Sequence, residues 1–246
     1  MRKKLWLRWV CLWPVMLGLW LYPVSNLLLR AAVLLTGALL IGGILVFYWK
    51  NRWLRITTIA IVAACVVFLL LPGRVVEPAQ LSSRYLSALE NYDGSKYVWG
   101  GEGYLGIDCS GLVRVGLINA LARQSVATFN PEAARLATRL WWNDCSARAL
   151  GEEYQNLTRH LFDATALNEL NYAQLQPGDI AVTEDGLHVL AYLGKQVWIQ
   201  AEPNLKRVIK IQSPSTNDWF QTPVKVMRWQ VLESNSQPNQ NAPLGP

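Results

Sequence analysis

The chain has 246 residues, of which 52% are hydrophobic and 16% are charged, and its formal net charge is +6 at a pI of about 9.2. This composition is too apolar for an average soluble protein, and the length allows one or two domains. The positive excess lies entirely in residues 1–75, which have nine Lys or Arg and no acid, while the remainder has 14 basic and 17 acidic residues. Because the globular part has no surplus of basic residues, this distribution argues against a nucleic-acid partner.

Three long uncharged runs dominate the N-terminal segment. Each is long enough for a membrane-spanning helix, which needs about 17–25 apolar residues. The first run is the least regular, because it contains Pro14, Pro23 and Asn26. The sequence therefore predicts a membrane anchor in residues 1–75, with three transmembrane helices at about residues 9–29, 31–49 and 56–73.

The charges that flank these runs predict their orientation. Basic residues cluster before the first run and between the second and third, whereas the first loop carries only Arg30. Positively charged flanks stay in the cytoplasm, so the N-terminus is expected inside and everything after residue 75 outside.

Two alternatives to this topology stay open. One is a signal peptide, although no small-x-small site directly follows residue 24; the other is a two-helix hairpin that returns the globular part to the cytoplasm.

The remaining chain predicts an α+β domain over residues 76–233. Four helices come first, at residues 77–91, 110–123, 131–142 and 152–167. Short β-rich runs separated by turns follow, at residues 180–183, 188–193, 197–201, 208–212 and 224–231. Helices followed by antiparallel hairpins are typical of α+β proteins. Residues 234–246 are rich in Asn, Gln, Ser and Pro and are predicted to be a disordered tail.

One stretch of this domain points to chemistry. Asp108, Cys109, Ser110 and Gly111 open an apolar helix. Asp108 or Ser110 can cap that helix, which places Cys109 at a helix N-terminus, where free N–H groups and the helix dipole favour a thiolate. The sequence therefore predicts a reactive cysteine with a lowered pKa. The alternative is an inert cysteine that packs in the core.

Three motifs follow one another in the order Y-V-W-G-G with D-C-S-G-L-V (residues 97–101 and 108–113), P-G-D-I with H-V-L-A-Y-L-G (177–180 and 188–194), and W-I-Q-A (198–201). Together they resemble the NlpC family of papain-like cysteine peptidases, bacterial enzymes that cut peptidoglycan stem peptides. The resemblance covers about residues 80–232. It implies a papain-like catalytic domain in which helices pack on an antiparallel sheet.

By position, the resemblance implies that Cys109 is the nucleophile, that His188 is the general base and that Gln200 orients the imidazole. It also implies a set of substrate-binding residues, which consists of Tyr97, Trp99, Asp108 and Ser110. The residues themselves agree for the histidine, because His160 lies in a predicted helix whereas His188 opens a strand that one short turn joins to the strand of Gln200. Neither a metal nor another cofactor is required.

The resemblance implies hydrolysis of an amide bond in a stem peptide, between D-glutamate and the diamino acid. With the charge pattern it predicts a multi-pass protein of the bacterial cytoplasmic (inner) membrane, held by the lipid bilayer, with its catalytic domain on the outer, periplasmic side. The alternatives on the same scaffold are an amidase, an acyltransferase and a toxin-like effector. A non-catalytic protein that binds wall peptides is the alternative of another class.

Two further expectations concern residues 124–176, a segment longer than compact family members need. Insertions on a fixed scaffold usually carry specificity, so this segment is expected to form a wall of the cleft, with Trp141 and Trp142 as candidate contacts. Cys145 is expected to be a free, buried thiol, because a disulfide to Cys109 would disable the nucleophile.

Overall fold

The structure is a computed structural model, and it describes residues 2–233; the predicted tail at 234–246 lies outside the described residues. The N-terminal segment forms α1 (Arg2–Val10), α2 (Leu12–Leu21), α3 (Leu27–Phe47) and α4 (Arg52–Leu70). α1 and α2 run on as one rod, because Cys11 between them also has helical dihedral angles. By length and composition three helices can cross a membrane, at Lys3–Leu21, Leu27–Phe47 and Arg52–Leu70.

The first helix boundary differs from the predicted one. The first span ends at Leu21 rather than at residue 29, because Pro23 lacks the N–H that would extend the helix. The Asn26 side chain then caps the next helix by accepting from the Leu29 N–H. Arg30, which the charge pattern assigned to a loop, therefore lies in the first turn of α3.

The globular part begins with helices. They are α5 (Pro78–Glu90), α6 (Cys109–Thr128), α7 (Pro131–Trp142) and the short α8 (Ala147–Gly151), with the ribbon β1 (Glu102–Gly103) and β2 (Gly106–Ile107) before α6. A six-stranded sheet follows, formed by β3 (Thr158–Ala164), β4 (Ile180–Thr183), β5 (Val189–Gly194), β6 (Val197–Glu202), β7 (Arg207–Gln212) and β8 (Val224–Trp229). Its spatial order is β3-β8-β4-β5-β6-β7, and each of these neighbouring pairs is antiparallel. The predicted α+β class is confirmed.

The predicted helix at residues 152–167 is wrong, because its centre forms β3. This strand pairs with β8, and a register irregularity interrupts the ladder between His160 and Phe162. The neighbouring residues Leu161 and Phe162 both pack against the same buried cluster, as a β-bulge allows. Two adjacent apolar residues break the alternation that identifies a strand, so the pattern suggested a helix.

α6 is the structural centre of the globular domain. It packs against α5 and α7 and against β5 and β6. Its apolar residues are buried around most of its circumference, including Leu112, Val113 and Leu117. Each fully buried Leu or Val side chain contributes about 1.5–3 kcal/mol. The first turn of α6, which begins at Cys109, is therefore firmly placed relative to the sheet.

Candidate active site

Cys109 is the first residue of α6, and Asp108 caps the helix in front of it. Asp108 Oδ1 accepts from the Gly111 N–H at 2.6 Å and from the Ser110 hydroxyl at 3.0 Å. Its Oδ2 accepts from the Gly100 N–H at 2.8 Å. Both carboxylate oxygens therefore have partners inside the protein. Asp108 thus fixes the start of α6 and the loop that faces it.

Two glycines let this loop approach the helix closely. At Gly111 a Cβ would lie 2.2 Å from the Gly101 carbonyl oxygen, so a larger residue does not fit. Gly100 has a φ of +70°, in the left-handed region that favours glycine. The glycines of the first motif thus allow the loop to pack on the N-terminus of α6.

His188 directly precedes β5 and is held by the turn that joins β4 to β5. Its N–H donates to Thr183 Oγ1 at 2.9 Å, and Asp185 Oδ1 accepts from the Leu187 N–H at 2.9 Å. The Cys109 Sγ lies 3.9 Å from the Leu187 carbonyl oxygen. The structure thus brings the predicted nucleophile beside the chain segment that carries the predicted general base.

Gln200 and His188 form a short hydrogen bond, with 2.6 Å between Gln200 Oε1 and His188 Nε2. The Gln200 Nε2 donates at 3.2 Å to the Glu202 carboxylate, which when ionised only accepts, and this assigns the oxygen end of the amide to His188. His188 Nε2 then carries a proton, and Nδ1 keeps its lone pair. Trp219 stacks on the imidazole, with ring centroids 4.1 Å apart and planes 18° apart. These contacts hold the ring in one orientation and one tautomer.

Glu202 is a site residue that sequence reasoning missed. It is 1% exposed, and its carboxylate also accepts from Asn217 Nδ2 at 3.0 Å. The signal lay in the strand periodicity, because Gln200 and Glu202 are two residues apart on β6 and alternate residues of a strand share a face. The two residues form a relay to His188 in which a carboxylate supplies the negative charge that a glutamine lacks.

Burial sets the protonation of the cysteine and the histidine. Burial, with a smaller effect from Asp108, raises the pKa of Cys109 to about 12, although backbone N–H groups around the sulfur act in the opposite direction. Burial lowers the pKa of His188 to about 4, against the opposing effects of Gln200 and Glu202. At neutral pH the resting pair is therefore a thiol and a neutral imidazole.

The predicted lowering of the Cys109 pKa is wrong in direction. The residue is 7% exposed, and the rise of its pKa from 9.0 to about 12 corresponds to about 4 kcal/mol in favour of the neutral thiol. A helix N-terminus contributes about 0.3–1 kcal/mol to an anion, and about 2 kcal/mol in favourable buried geometries. The loss of hydration therefore outweighs the helix dipole at this position.

We expect iodoacetamide to alkylate Cys109 slowly at pH 6, at a rate that rises about tenfold per pH unit as the thiolate fraction grows. The reaction is followed by peptide mass mapping in a Cys145→Ser background, which removes the other buried thiol. A fast reaction at pH 6 that does not depend on pH, and that is lost in His188→Ala, would instead indicate a preformed thiolate–imidazolium pair.

A cavity of about 590 Å³ opens at the Cys109 thiol. The predicted substrate-binding residues all line this cavity, namely Tyr97, Trp99, Asp108 and Ser110. Trp99 is 76% exposed at its rim. Burial raises the pKa of Tyr97 to about 12, so its hydroxyl keeps its proton and remains a hydrogen-bond donor. His188 is 2% exposed, so bulk water has little access to the imidazole.

Residues 144–148 also line the cavity, as expected for part of the segment 124–176. They bring a carboxylate from Asp144 and a guanidinium from Arg148. Cys145 belongs to the same stretch, and its thiol is free and buried. The contribution of the segment thus comes from the residues that follow α7 rather than from the tryptophan pair at the end of that helix.

Comparisons with known proteins identify one family. The model of the NlpC/P60 family matches residues 94–228, which is more than half of the chain. No curated protein matches.

Solved structures with a similar fold include NlpC2 from Trichomonas vaginalis, at 20% identity over 63% of this chain and 48% of that protein, with a TM-score of 0.41. The P60 domain of an antigen from M. avium subspecies paratuberculosis is 21% identical over 64% of this chain and 98% of that domain, with a TM-score of 0.40. The peptidoglycan hydrolase RipB from Mycobacterium tuberculosis is 18% identical over 64% of this chain and 67% of that protein, with a TM-score of 0.39. The chain spans about half the length of the Trichomonas protein.

Proposed function

The chain belongs to the NlpC/P60 family, and from that premise we propose that it is a membrane-anchored cysteine peptidase that hydrolyses an amide bond in peptidoglycan stem peptides. The observation that carries the proposal is the position of the Cys109 thiol, which opens on a cavity and lies 3.9 Å from the carbonyl oxygen of Leu187, the residue directly before the hydrogen-bonded His188–Gln200 pair. The catalytic domain comprises residues 76–233. The family resemblance directs the proposal to the bond between D-glutamate and the diamino acid.

In the first step the Cys109 sulfur attacks the substrate carbonyl carbon while His188 Nδ1 takes the thiol proton. Because the resting pair is neutral, proton transfer accompanies the attack rather than preceding it. The imidazolium that forms is stabilised by the negative charge of Glu202, which acts through Gln200. Backbone N–H groups at the start of α6 stabilise the oxyanion of the tetrahedral intermediate.

The leaving amine then takes the proton from His188, and the acyl group remains on the sulfur as a thioester. Because burial lowers the pKa of His188, its imidazolium is a strong enough acid to protonate the leaving amine. Water next attacks the thioester while His188 accepts its proton, and the carboxylic acid and the free thiol are released. Every proton is thus moved by one imidazole.

Charged groups in the cavity provide recognition of the stem peptide, which carries free amines and carboxylates. The sequence resemblance suggested Asp108 for the amine. Asp108 uses three of its acceptor positions inside the protein, so we add the more exposed Asp144 as a second carboxylate for substrate amines and assign substrate carboxylates to Arg148. Both line the cavity, and the Asp144 side chain is 54% exposed.

The three apolar helices form the membrane anchor in this proposal. The loop between α2 and α3 and the end of α4 both contact the globular domain, so they lie at the same end of the helices. Trp9 of α1 packs against Tyr48 at the opposite end, with ring centroids 6.2 Å apart. The basic residues at 3–8 and 50–55 share that end. Since positive flanks stay inside, the peptidase faces the periplasm from a bacterial inner membrane.

The proposal is tested with the full chain in detergent micelles and purified muropeptides that carry tripeptide and tetrapeptide stems. We expect mass spectrometry to detect a fragment that begins with the diamino acid. Release of the whole stem from the sugar would indicate an amidase instead. Transfer of the acyl group to an added amine would indicate an acyltransferase, and binding without any turnover would indicate a non-catalytic binding protein.

A further inference from the structure

The loop between α2 and α3, residues 22–26, is built into the wall of the cleft. Val24 and Gly101 form an antiparallel bridge. The Ser25 N–H donates to the Gly100 carbonyl oxygen at 2.9 Å. Ser25 also lines the cavity that holds the thiol. A segment between two membrane helices therefore forms part of the candidate active site.

A buried arginine reinforces this junction. Arg30 is 2% exposed, and its Nη2 donates to both oxygens of Glu102, at 2.8 and 2.9 Å. Its Nε donates to Ser25 Oγ at 3.0 Å. The same Glu102 forms an ion pair with Arg114 on α6, and its N–H donates to the Pro23 carbonyl oxygen at 2.8 Å. Glu102 is thus the point at which α3, the loop and α6 are joined.

We propose that the membrane segment positions the catalytic nucleophile, with Arg30 as the positioning residue; the proposal rests on the proposed peptidase function. A first route runs through the backbone. The loop holds Gly100 through Ser25, and the Gly100 N–H donates to Asp108, which caps the helix that Cys109 begins. The loop thereby helps to fix the distance between the thiol and the wall of the cleft.

A second route runs through charges. Arg30 and Arg114 share the Glu102 carboxylate, and the half-exposed Asp144 lies 3.7 and 3.2 Å from them, so a membrane helix and the helix of the nucleophile are held by the same two carboxylates. Removing one partner leaves the other charges buried and incompletely paired, which drives local rearrangement. Arg114 lies on α6 within two turns of Cys109, so such a rearrangement reaches the catalytic thiol.

Attachment of the domain to the membrane does not require this arginine, because a second junction lies elsewhere. Arg135 of α7 donates to the carbonyl oxygens of Leu69 and Leu71 at the end of α4, at 2.8 and 2.9 Å. Phe68 packs on Phe129 close by, with ring centroids 4.8 Å apart. Arg135→Gln is therefore a matched control, since it weakens a junction that makes no contact with the cleft.

The experiment compares the full-length wild type with Arg30→Gln, Arg30→Lys and Arg135→Gln in detergent micelles. We expect Arg30→Gln to lower kcat on stem peptides by about 10- to 100-fold, the effect of a small misplacement of reacting groups, and to change KM less than kcat, because Asp144 loses only its longer ion pair, at 3.7 Å, and keeps Arg114 at 3.2 Å. Arg30→Lys keeps the charge, but one ammonium cannot reach Glu102, Ser25 and the Trp142 carbonyl oxygen as the planar guanidinium does, so it should restore part of kcat. Arg135→Gln should behave as the wild type.

A second readout does not depend on turnover. Alkylation of Cys109 at pH 9 should become faster in Arg30→Gln, because a loosened wall exposes the sulfur, and should be unchanged in Arg135→Gln. If Arg30→Gln is too unstable to purify, Ser25→Ala removes one acceptor of the arginine and should give smaller changes in the same direction. Wild-type kcat and alkylation in Arg30→Gln would overturn the positioning role. An inactive wild type with altered alkylation would overturn the peptidase function alone.

Discussion

Cys109→Ala and His188→Ala are each expected to lower kcat on stem peptides by about 10⁴-fold or more, the size of effect that follows loss of a nucleophile or its base. In the proposed mechanism the thiol forms the covalent intermediate and the imidazole moves every proton, so no other group takes over either step. The measurement is the rate of fragment release by the full chain in detergent, followed by mass spectrometry.

Matched controls separate chemistry from folding. His160→Ala should retain the wild-type rate, because His160 lies on the edge strand β3 and contacts Asp163 at 2.9 Å. Cys65→Ala should also retain it, because Cys65 is exposed on α4. Substantial turnover by Cys109→Ala, at unchanged melting temperature, would show that the cleft does not act through this sulfur.

Glu202→Gln is expected to lower kcat by about 10- to 100-fold, because it loosens the geometry of the imidazole. The neutral amide can donate as well as accept, so the Gln200 amide is no longer held in one orientation. The carboxylate also raises the pKa of His188. Its removal should therefore lower that pKa further and move the acid limb of kcat/KM to lower pH.

Two measurements check this second prediction. The pH profile of kcat/KM is compared between the wild type, Glu202→Gln and the control Glu169→Gln, which changes an exposed carboxylate beside Thr165. Gln200→Ala should slow turnover less than His188→Ala does, because it removes orientation but leaves the base. If the acid limb of the kcat/KM profile moved to higher pH in Glu202→Gln, the proposed action of Glu202 on His188 through Gln200 would be contradicted.

The candidate site was predictable where it depends on local patterns. Asp108 and the glycines around it predict a capped helix with Cys109 at its start, because capping and tight turns depend on a few neighbouring residues. The alternation of β-rich runs and turns likewise predicts the hairpins that carry His188 and Gln200. Both features are present in the structure.

Other features depend on distant contacts and were not predicted. Glu202 becomes part of the site only because the Gln200 side chain hydrogen-bonds to Glu202 with its nitrogen and to His188 with its oxygen. The direction of the Cys109 pKa depends on burial, which no local motif reveals. The sequence suggests that Arg30 is an ordinary charge in a loop. Its role depends on a contact with the Glu102 carboxylate, which is 72 residues away in the chain.

The docking of the loop between α2 and α3 against the cleft also limits where the enzyme can act. Residues 71–77 join α4 to α5, and both junctions hold the domain against the helix ends. With those helices in the bilayer as proposed, the catalytic centre cannot swing outward on a tether. The catalytic centre can therefore meet substrates only within about one domain diameter of the membrane, on the order of 40 Å. Encounters with wall strands then depend on lateral diffusion in two dimensions, and strands beyond that distance are out of reach.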